Sequence, residues 1–371
     1  MSELMRGLAG VVAGTTAVSV VDEEAGALLY RGYPVPDLAA TRSFEEVAYL
    51  IWYGELPRPP ELSALAAAER SSRDVPPELL HILSGLPLDS HPMDVLRTAV
   101  SYLGAAAADG TQTDLDRAIG LWARLPTIVA AEQRRRRGLN AIRPDPTLSF
   151  AENLFHMCSG SVPDAEVVRC FETSLVLYAE HGYNASTFAA RVITSTGSDL
   201  YSAVTGAIGA LKGPLHGGAN EAVMGVFENV KEPSEIDSWL DAELAAGRKV
   251  MGFGHRVYKH GDSRVPTMRA ALVELARRSR QGASLMAVYE RLEQAMLARK
   301  GLYPNLDYPS GPAYFLMGFD IPTFTPIFVT SRVTGWTAHI IEQASDNALI
   351  RPLSKYAGVP RRALSGDSAR R

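Results

Sequence analysis

Three short loops rich in glycine and proline each carry one side chain suited to acid-base chemistry. His216 lies in the segment GPLHGGAN, His255 directly follows MGFG, and Asp307 lies in PNLDYPSG. A carboxylate can take a proton, and a neutral imidazole can donate a hydrogen bond to an oxygen that gains negative charge. Together the three loops predict an acid-base centre.

The loop around His216 leads into a predicted helix over residues 221–230. The positive end of such a helix favours the neutral form of a nearby imidazole. Taken alone, a histidine in a glycine-rich turn is more often a capping or structural residue than a catalyst. The catalytic interpretation therefore depends on the other two loops.

Other catalytic signatures fail on spacing. Gly252 and Gly254 lack the third glycine of a dinucleotide-binding loop, because position 257 is valine. Residues 209–213 lack the spacing and the Ser or Thr of a phosphate-binding loop, and the segment HIIE that begins at His339 lacks the second histidine of a zinc protease. The chain has no Gly-x-Ser-x-Gly nucleophile elbow.

From about Gly7 to about Gly358 the chain resembles the citrate synthase family. The matching stretches follow the family's order and approximate spacing: GLAGVVAGTTA (7–17), LYRGY (29–33), SFEEVAYL (43–50), EHGYNAST (180–187), 213–220, 255–259, 307, SRVTGW (331–336) and 351–352. The resemblance implies catalysis by His216, His255 and Asp307. Asp307 would take an α-proton from an acyl-CoA thioester, His216 would stabilise the resulting enolate, and His255 would polarise the ketone of oxaloacetate.

The resemblance also implies the binding residues for oxaloacetate, which are His181, Arg264, Arg332 and Arg351. Arginine suits a dicarboxylate because its planar fork donates two parallel hydrogen bonds. Any single arginine is otherwise a solvated surface cation, although Arg332 stands in a mostly apolar stretch. In the family the arginine that matches Arg351 reaches the neighbouring subunit's site, which implies a homodimer.

For coenzyme A, the resemblance implies contacts from the backbone of Val250, Gly252 and Gly254 and a phosphate contact from Lys259. The run of four arginines over 134–137 is either a solvated helix end or the source of one more phosphate contact. No metal and no cofactor are implied, because the coenzyme A thioester is a substrate.

The acyl group is the finer question. The segments around His216, Arg264 and Asp307 look most like those of family members that use propionyl-CoA to make 2-methylcitrate, with acetyl-CoA and citrate as the alternative. Gly182, Tyr178 and Leu353 depart from the commoner family pattern and are expected to leave the catalytic trio untouched. A catalytically silent acyl-CoA-binding homologue is the alternative of another class, which the presence of the trio disfavours.

The elements that position these residues are predicted to be helical. Apolar residues recur at three- and four-residue intervals over 165–180, 265–281 and 284–299. Residues 200–211 carry a small-residue face suited to a buried helix, a subunit interface or simple core packing. The uncharged run 7–21 superficially resembles a secretory signal, but its Gly, Thr and Ser content and the turn that follows favour a β-hairpin.

The expected fold is therefore all-α with a short N-terminal hairpin. The resemblance implies a large helical domain of residues 1–219 and 312–371 and a smaller inserted helical domain of residues 220–311. With 371 residues, 46% of them hydrophobic and 21% charged, and a net charge of -4, the composition is that of a globular protein and argues against nucleic acid as a partner. No stretch reaches the roughly 18 apolar residues of a membrane span. Two cysteines without metal-ligand spacing favour a reducing cytoplasm.

Overall fold

The computed structural model describes residues 5–8, 10–22, 26–107, 110–255, 258 and 261–362. This part of the chain is mostly helical, as the sequence predicts, with one small antiparallel sheet near the N-terminus. Its strands are β1 (Ser19–Asp22), β2 (Ala27–Tyr30) and β3 (Tyr33–Pro34), in the order β1-β2-β3. The predicted hairpin is confirmed, and a short third strand extends it.

Sixteen α-helices lie in the described residues. They are α1 (Val35–Thr41), α2 (Phe44–Tyr53), α3 (Pro59–Ser71), α4 (Pro77–Ser84), α5 (Pro92–Ala106), α6 (Asp114–Arg136), α7 (Phe150–Ser159), α8 (Ala165–Tyr178), α9 (Ala185–Ser195), α10 (Leu200–Leu211), α11 (Ala219–Asn229), α12 (Ile236–Ala245), α13 (Val265–Arg277), α14 (Gly282–Lys300), α15 (Asp307–Leu316) and α16 (Phe324–Ser345). The helices predicted from periodicity correspond to α8, α10, α13 and α14 and differ from them only at their ends.

Several helices begin at capping residues that the sequence shows. At the start of α2, Ser43 accepts a hydrogen bond from the Glu46 N–H while the Glu46 carboxylate accepts one from the Ser43 N–H. At the start of α9, the side chain of Asn184 accepts from the N–H groups of Ser186 and Thr187. The cap of α9 matters for the candidate site, because it fixes the backbone shortly after His181, which the sequence predicts to bind substrate.

Helix α16 forms the centre of the fold. Every residue from Phe324 to Ile340 is buried, and the helix packs against α2, α6, α8, α9 and α10. Two of its buried side chains are ionisable, Arg332 and His339, so the helix brings charge into the interior. A buried charge is stable only with partners, and those partners belong to the candidate site.

The small-residue face of α10 is used inside the chain. A Cβ atom added at Gly206 would lie 2.2 Å from Cδ1 of Ile193, so α9 and α10 approach closely there. Helix α10 also packs against α5. Core packing therefore accounts for the small residues within one subunit.

In the region of the predicted small domain, α14 packs against both α12 and α13, and α15 packs against α11 and α13. Helix α13 also contacts α8. The division into two domains at residues 219–220 and 311–312 stays a prediction. No helix in the described part of the chain is long and apolar enough to cross a membrane.

Candidate active site

One cleft of about 1250 Å³ brings together most of the side chains that the sequence indicates. Its walls come from the N-terminal segment, the residues that follow α8, the turn before α11, and the loop 248–255. The predicted site residues that line it are His181, His216, Val250, Gly252, Gly254, His255, Arg264, Asp307 and Arg332. Residues far apart in the chain thus meet at one place.

Asp307 is the first residue of α15 and faces the cleft. Removal from water raises the pKa of its carboxyl group to about 6, even though a hydrogen bond from Tyr178 and the charges of Arg264 and Arg332 favour the ionised form. A carboxylate with this pKa is mostly ionised at neutral pH and is a stronger base than an exposed aspartate. That combination suits a general base.

The expectation that Tyr178 leaves the catalytic trio untouched is wrong. The Tyr178 hydroxyl donates a hydrogen bond of 2.7 Å to Oδ1 of Asp307, and its ring packs against Phe328 with the centroids 4.2 Å apart. Tyr178 ends α8, which contacts α15 in the fold, and the two side chains meet although 129 positions separate them. Tyr178 is therefore a direct partner of the predicted base.

The orientation of the His216 ring is set by Ser186. The backbone N–H of Ser186 donates to Nε2 of His216 at 3.3 Å, and the Ser186 hydroxyl lies 2.8 Å from the same atom. A backbone N–H can only donate, so Nε2 is the acceptor and the neutral ring carries its proton on Nδ1. Nδ1 is then the nitrogen able to donate to an oxyanion.

His216 is neutral, as the sequence predicts, but the main cause differs. Burial and the charge of Arg332 lower the pKa of His216 to about 4. The helix end that contacts its ring is that of α9, through Ser186, and not that of α11. The turn is tight because the Gly217 N–H donates to the Leu211 carbonyl, and a Cβ at Gly217 would lie 2.5 Å from Cγ of Leu211.

His255 is held in the complementary tautomer. The backbone N–H of Tyr258 donates to its Nδ1 at 3.1 Å, so the neutral ring carries its proton on Nε2. Burial and the charge of Arg264 lower the pKa of His255 to about 4. Its ring meets that of His181 edge to face, with the centroids 5.0 Å apart. The neutral imidazoles of His255 and His181 therefore lie side by side near the guanidinium group of Arg264.

His181 and Arg264 have the properties of ligands for a small anion. Among the described residues, Nε2 of His181 is buried without a hydrogen-bond partner, and burial and the charge of Arg264 hold the pKa of this histidine well below its usual range. Arg264 is 6% exposed and donates from Nε and Nη2 to both oxygens of the fully buried Asp262. Burial opposes the charge of Arg264, but Asp262 raises its pKa above the ordinary value, so the cation persists inside the cleft wall.

Arg332 supplies the second buried cation. Its Nε donates to the Tyr178 carbonyl at 2.6 Å, and its guanidinium lies over the Phe328 ring, 4.6 Å from the centroid. Burial lowers the pKa of Arg332 to about 10, and the charge of Glu180 opposes this shift. Arg332 therefore stays charged at neutral pH, with its terminal nitrogens not used by protein acceptors in the described residues.

The N-terminal sheet holds the segment that carries His181. Ser19 donates from its hydroxyl to the Glu180 carboxylate at 3.0 Å and accepts from the Gly182 N–H at 3.0 Å. The Tyr30 hydroxyl donates to the Glu180 carbonyl at 2.9 Å. The chain is thus fixed on both sides of His181 by two residues of the sheet.

His339, whose segment lacks the second histidine of a zinc protease, makes structural contacts in the interior. Its Nε2 donates to Glu180 at 2.9 Å, because Arg191 donates to its Nδ1 at 3.0 Å. Arg191 also pairs with Glu342. Burial disfavours ionisation of Glu180, yet His339 and Arg332 hold its pKa below the ordinary value. This buried network gives Arg332 a nearby negative charge.

The wall of the cleft near residues 248–254 is suited to a phosphate-containing ligand. Val250, Gly252 and Gly254 line it as the sequence predicts, and the cationic side chains Arg248, Lys249 and Lys300 line it as well. Lys259 lies outside the described residues.

The arginines at 134–137 and at 351 lie outside the cleft of their own chain. Each of the four arginines at 134–137 has a partner elsewhere in the chain: the Asn140 carbonyl for Arg134, Glu132 for Arg135 and Arg136, and Asp320 for Arg137. None of them lines the cleft, and a contact of one of them with coenzyme A stays a prediction. Arg351 is exposed in the irregular C-terminal segment and does not reach the cleft of its own chain.

Sequence reasoning missed three residues that support the site. Ser186 acts through its backbone, Asp262 pairs with Arg264, and Glu180 compensates Arg332. The capping motif of Asn184 is a signal for Ser186, because the first N–H groups of a helix have no intrahelical acceptor. Asp262 stands two positions before Arg264, which is a weaker signal. Among the described residues, no group of three or more His, Cys, Asp or Glu side chains is arranged to hold a metal ion.

Comparison with known proteins gives consistent matches over nearly the whole chain. The family described as citrate synthase, C-terminal domain, matches residues 7–353. A 2-methylcitrate synthase of Mycobacterium tuberculosis H37Rv is 58% identical over 98% of this chain and 93% of its own length. A citrate synthase of Mycolicibacterium smegmatis is 56% identical over 97% and 96%.

A solved structure resembles the whole fold. It is the ternary complex of carboxymethyl coenzyme A and oxaloacetate with citrate synthase from Thermoplasma acidophilum, with a TM-score of 0.94, 34% identity and complete coverage of both chains.

Proposed function

The chain belongs to the citrate synthase family, and we propose that it condenses propionyl-CoA with oxaloacetate and water to give 2-methylcitrate and coenzyme A. We propose acetyl-CoA as a second substrate that yields citrate. The observation that carries the proposal is that a carboxylate and two neutral imidazoles line one cleft together with two buried arginines. As a family member, the protein is an enzyme of the citrate synthase type.

In the first step, Asp307 takes an α-proton from the acyl-CoA. The C–H electron pair moves to form the enolate, and His216 donates from Nδ1 to the thioester oxygen that gains charge. The tautomer of His216 supports this role, because Ser186 occupies Nε2. A neutral donor stabilises the enolate without a second charged group in the cleft.

In the second step, the enolate carbon attacks the ketone carbon of oxaloacetate. A C–C bond forms, and the carbonyl electron pair moves to the ketone oxygen, to which His255 donates from Nε2. The Tyr258 N–H at Nδ1 supports this direction of donation. Water then cleaves the thioester of the product, and coenzyme A leaves.

Oxaloacetate is a dianion, and the site offers matching groups. We propose that Arg264 and Arg332 bind its carboxylates and that the unpartnered Nε2 of His181 completes the site. Asp262 and Glu180 compensate the charges of the two arginines. A dianion would form charge-assisted hydrogen bonds with both arginines, whose side chains are already desolvated by burial.

The preference for propionyl-CoA rests on the relatives and on the wall beside Asp307. The rings of Tyr178 and Phe328 pack together there, and the Tyr178 hydroxyl contacts the base itself. A methyl group on the α-carbon would meet aromatic surface. One methylene is worth only about 1 to 3 kcal/mol, and the relative from Mycolicibacterium smegmatis is named a citrate synthase, so acetyl-CoA as main substrate is the second candidate.

We further propose a cytoplasmic homodimer in which Arg351 reaches the partner's cleft. The exposed position of Arg351 in an irregular C-terminal segment supports this, as do two buried free cysteines for a reducing compartment. The proposed steps use protein side chains and water, so we expect activity without an added metal or cofactor and in the presence of a chelator.

The experiment that tests the function follows free thiol release from propionyl-CoA with oxaloacetate and identifies the product by mass spectrometry. We expect 2-methylcitrate and coenzyme A in equal amounts, and no product from Asp307→Ala. Thiol release without oxaloacetate, or product formation by Asp307→Ala at the wild-type rate, would contradict the proposal.

A further inference from the structure

Asn305 connects two segments that carry different catalytic side chains. Its side-chain Nδ2 donates to the Gly254 carbonyl at 3.0 Å, and its Oδ1 accepts from the Asp307 N–H at 3.1 Å. Gly254 immediately precedes His255 in the chain. One amide group therefore contacts both the residue before the proposed ketone-polarising histidine and the proposed base.

The two contacts place opposite demands on the side chain. The Gly254 carbonyl requires a donor, and the Asp307 N–H requires an acceptor. An aspartate at position 305 supplies two acceptors, a serine supplies one short hydroxyl, and an alanine supplies nothing. Only a short primary amide meets both demands at this distance, which is the chemistry of asparagine.

The loop before His255 is held by backbone pairing with the segment before Asp307 and by packing of the Phe253 ring on that of Tyr308, with the centroids 4.4 Å apart. It lies outside any helix, and Gly252 and Gly254 have φ values of 88° and 79°, a region in which a backbone without Cβ atoms is readily accommodated. Its backbone pairs with the segment before Asp307, through the Asn305 N–H to the Gly252 carbonyl at 2.9 Å and the Gly254 N–H to the Tyr303 carbonyl at 2.8 Å. The Asn305 side chain completes this pairing at the end nearest to both catalytic residues.

We propose that Asn305 is a positioning residue that fixes His255 and Asp307 relative to each other for carbon-carbon bond formation. The proposal rests on the function proposed above. Enolate formation needs Asp307 and His216, whereas the attack on the ketone needs the nucleophile made by Asp307 and the carbonyl held by His255 at the same moment. A displacement of about 1 Å between such groups costs on the order of a hundredfold in rate.

The test separates the two steps in variants of the full-length protein. Proton removal is measured as exchange of the α-hydrogens of propionyl-CoA in D2O, by nuclear magnetic resonance, with malate in the oxaloacetate site. Malate carries a hydroxyl in place of the ketone and is not attacked. Condensation is measured as thiol release with oxaloacetate. The ratio of the two rates is a readout that general loss of structure does not change.

Asn305→Asp keeps an acceptor for the Asp307 N–H and has no donor for the Gly254 carbonyl, and the single short hydroxyl of Asn305→Ser cannot make both contacts. We expect condensation to fall about tenfold to a hundredfold in both, while exchange falls less than about threefold. Asn305→Ala loses both contacts, and we expect both rates to fall. Asn229→Asp is the matched control, because its Nδ2 also donates to a glycine carbonyl, that of Gly225, on an exposed helix end; we expect wild-type rates.

Equal losses of exchange and condensation in Asn305→Asp and Asn305→Ser, or wild-type rates in both, would overturn the proposal. A selective loss in Asn305→Asp that Asn305→Ser does not share would assign the effect to the added charge and would overturn it as well. If Asn305→Asp does not fold, Asn305→Ser gives the answer by itself because it adds no charge, and if Asn305→Ser does not fold, Asn305→Thr takes its place with the same short hydroxyl. Wild-type protein that neither exchanges nor condenses would instead refute the proposed function.

Discussion

The backbone N–H of Ser186 donates to Nε2 of His216 at 3.3 Å and so decides which nitrogen of that histidine carries the proton. The neutral ring then presents Nδ1–H as its donor. The N–H contact comes from the main chain at the start of α9, where Oδ1 of Asn184 accepts from the same N–H at 3.2 Å, so it survives replacement of the Ser186 side chain, whereas the hydroxyl contact of 2.8 Å does not.

Ser186→Ala should therefore retain most of the activity. The variant keeps the backbone N–H and loses only the hydroxyl, so we expect kcat within about tenfold of wild type, whereas His216→Ala loses the oxyanion donor and about 10² to 10³ in kcat. Steady-state kinetics checks both, with oxaloacetate binding as the control for folding. A Ser186→Ala defect as large as that of His216→Ala would show that the hydroxyl sets the tautomer.

The pH profile should have its acid limb near the pKa of Asp307. That pKa is raised to about 6, and the base must be ionised, so kcat/KM should fall about tenfold per pH unit below 6. The pKa values of His216 and His255 are lowered to about 4, so both imidazoles stay neutral over this range. An acid limb set by a group that titrates near pH 4 would contradict the assignment of Asp307.

Tyr178→Phe should move that acid limb to higher pH. The Tyr178 hydroxyl stabilises the ionised carboxylate, and a hydrogen bond to a charged group contributes about 1.5 to 3 kcal/mol. Without it the carboxyl group holds its proton more tightly. Tyr183→Phe is the matched control, because its hydroxyl donates to the Thr15 carbonyl instead. An acid limb at the same pH in Tyr178→Phe as in wild type would mean that the hydrogen bond does not lower the pKa of Asp307 in solution.

Asp307→Asn should be more stable than wild type, and the margin should depend on pH. The folded-state pKa of Asp307 lies above its unfolded value, so ionisation disfavours the folded state; the penalty is absent below about pH 4 and complete above about pH 6. Because the Asp307 side chain is only partly removed from water, we expect a margin of about 2 kcal/mol in the free energy of unfolding. Urea unfolding of both proteins from pH 4.5 to 7.5 measures the margin, with Asp89→Asn on the surface as control. A margin independent of pH would contradict the raised pKa.

Arg351 should complete the site of a partner subunit. Arg351→Ala and Asp307→Ala homodimers should each be inactive or nearly so, whereas co-expression of the two variants should restore activity, because hybrid dimers contain one site with both residues intact. Activity of the purified hybrid is compared with that of each homodimer. Full activity of Arg351→Ala alone, or a hybrid no better than its parents, would rule out the shared site.

The sequence predicts the residues whose own chemistry defines the site, because histidine and aspartate in glycine-rich loops are unusual enough to find. Nine of the proposed site residues line the same cleft. The sequence does not reveal Ser186, because this residue acts through its backbone N–H, which every residue except proline possesses. Nor does it predict that Tyr178 contacts Asp307, because that contact depends on how α8 and α15 pack.

The arginine run at 134–137 is easy to find in the sequence, but the sequence does not show which groups these cations contact. Four adjacent cations suggest a phosphate site, yet their partners are Glu132, Asp320 and backbone carbonyls brought near by folding. Charge is visible in sequence, whereas its compensation is a property of the packed structure. The helices themselves are predicted well, since periodicity and capping are local.

The most direct test of the central claim is a side-by-side measurement of kcat/KM for acetyl-, propionyl- and butyryl-CoA with saturating oxaloacetate. We expect condensation with propionyl-CoA as the preferred substrate and acetyl-CoA as a slower one, since one methylene changes transition-state binding by only about 1 to 3 kcal/mol. A kcat/KM for acetyl-CoA about tenfold above that for propionyl-CoA would contradict the proposed preference and would favour a citrate synthase. Turnover with none of the three would contradict the proposed reaction itself.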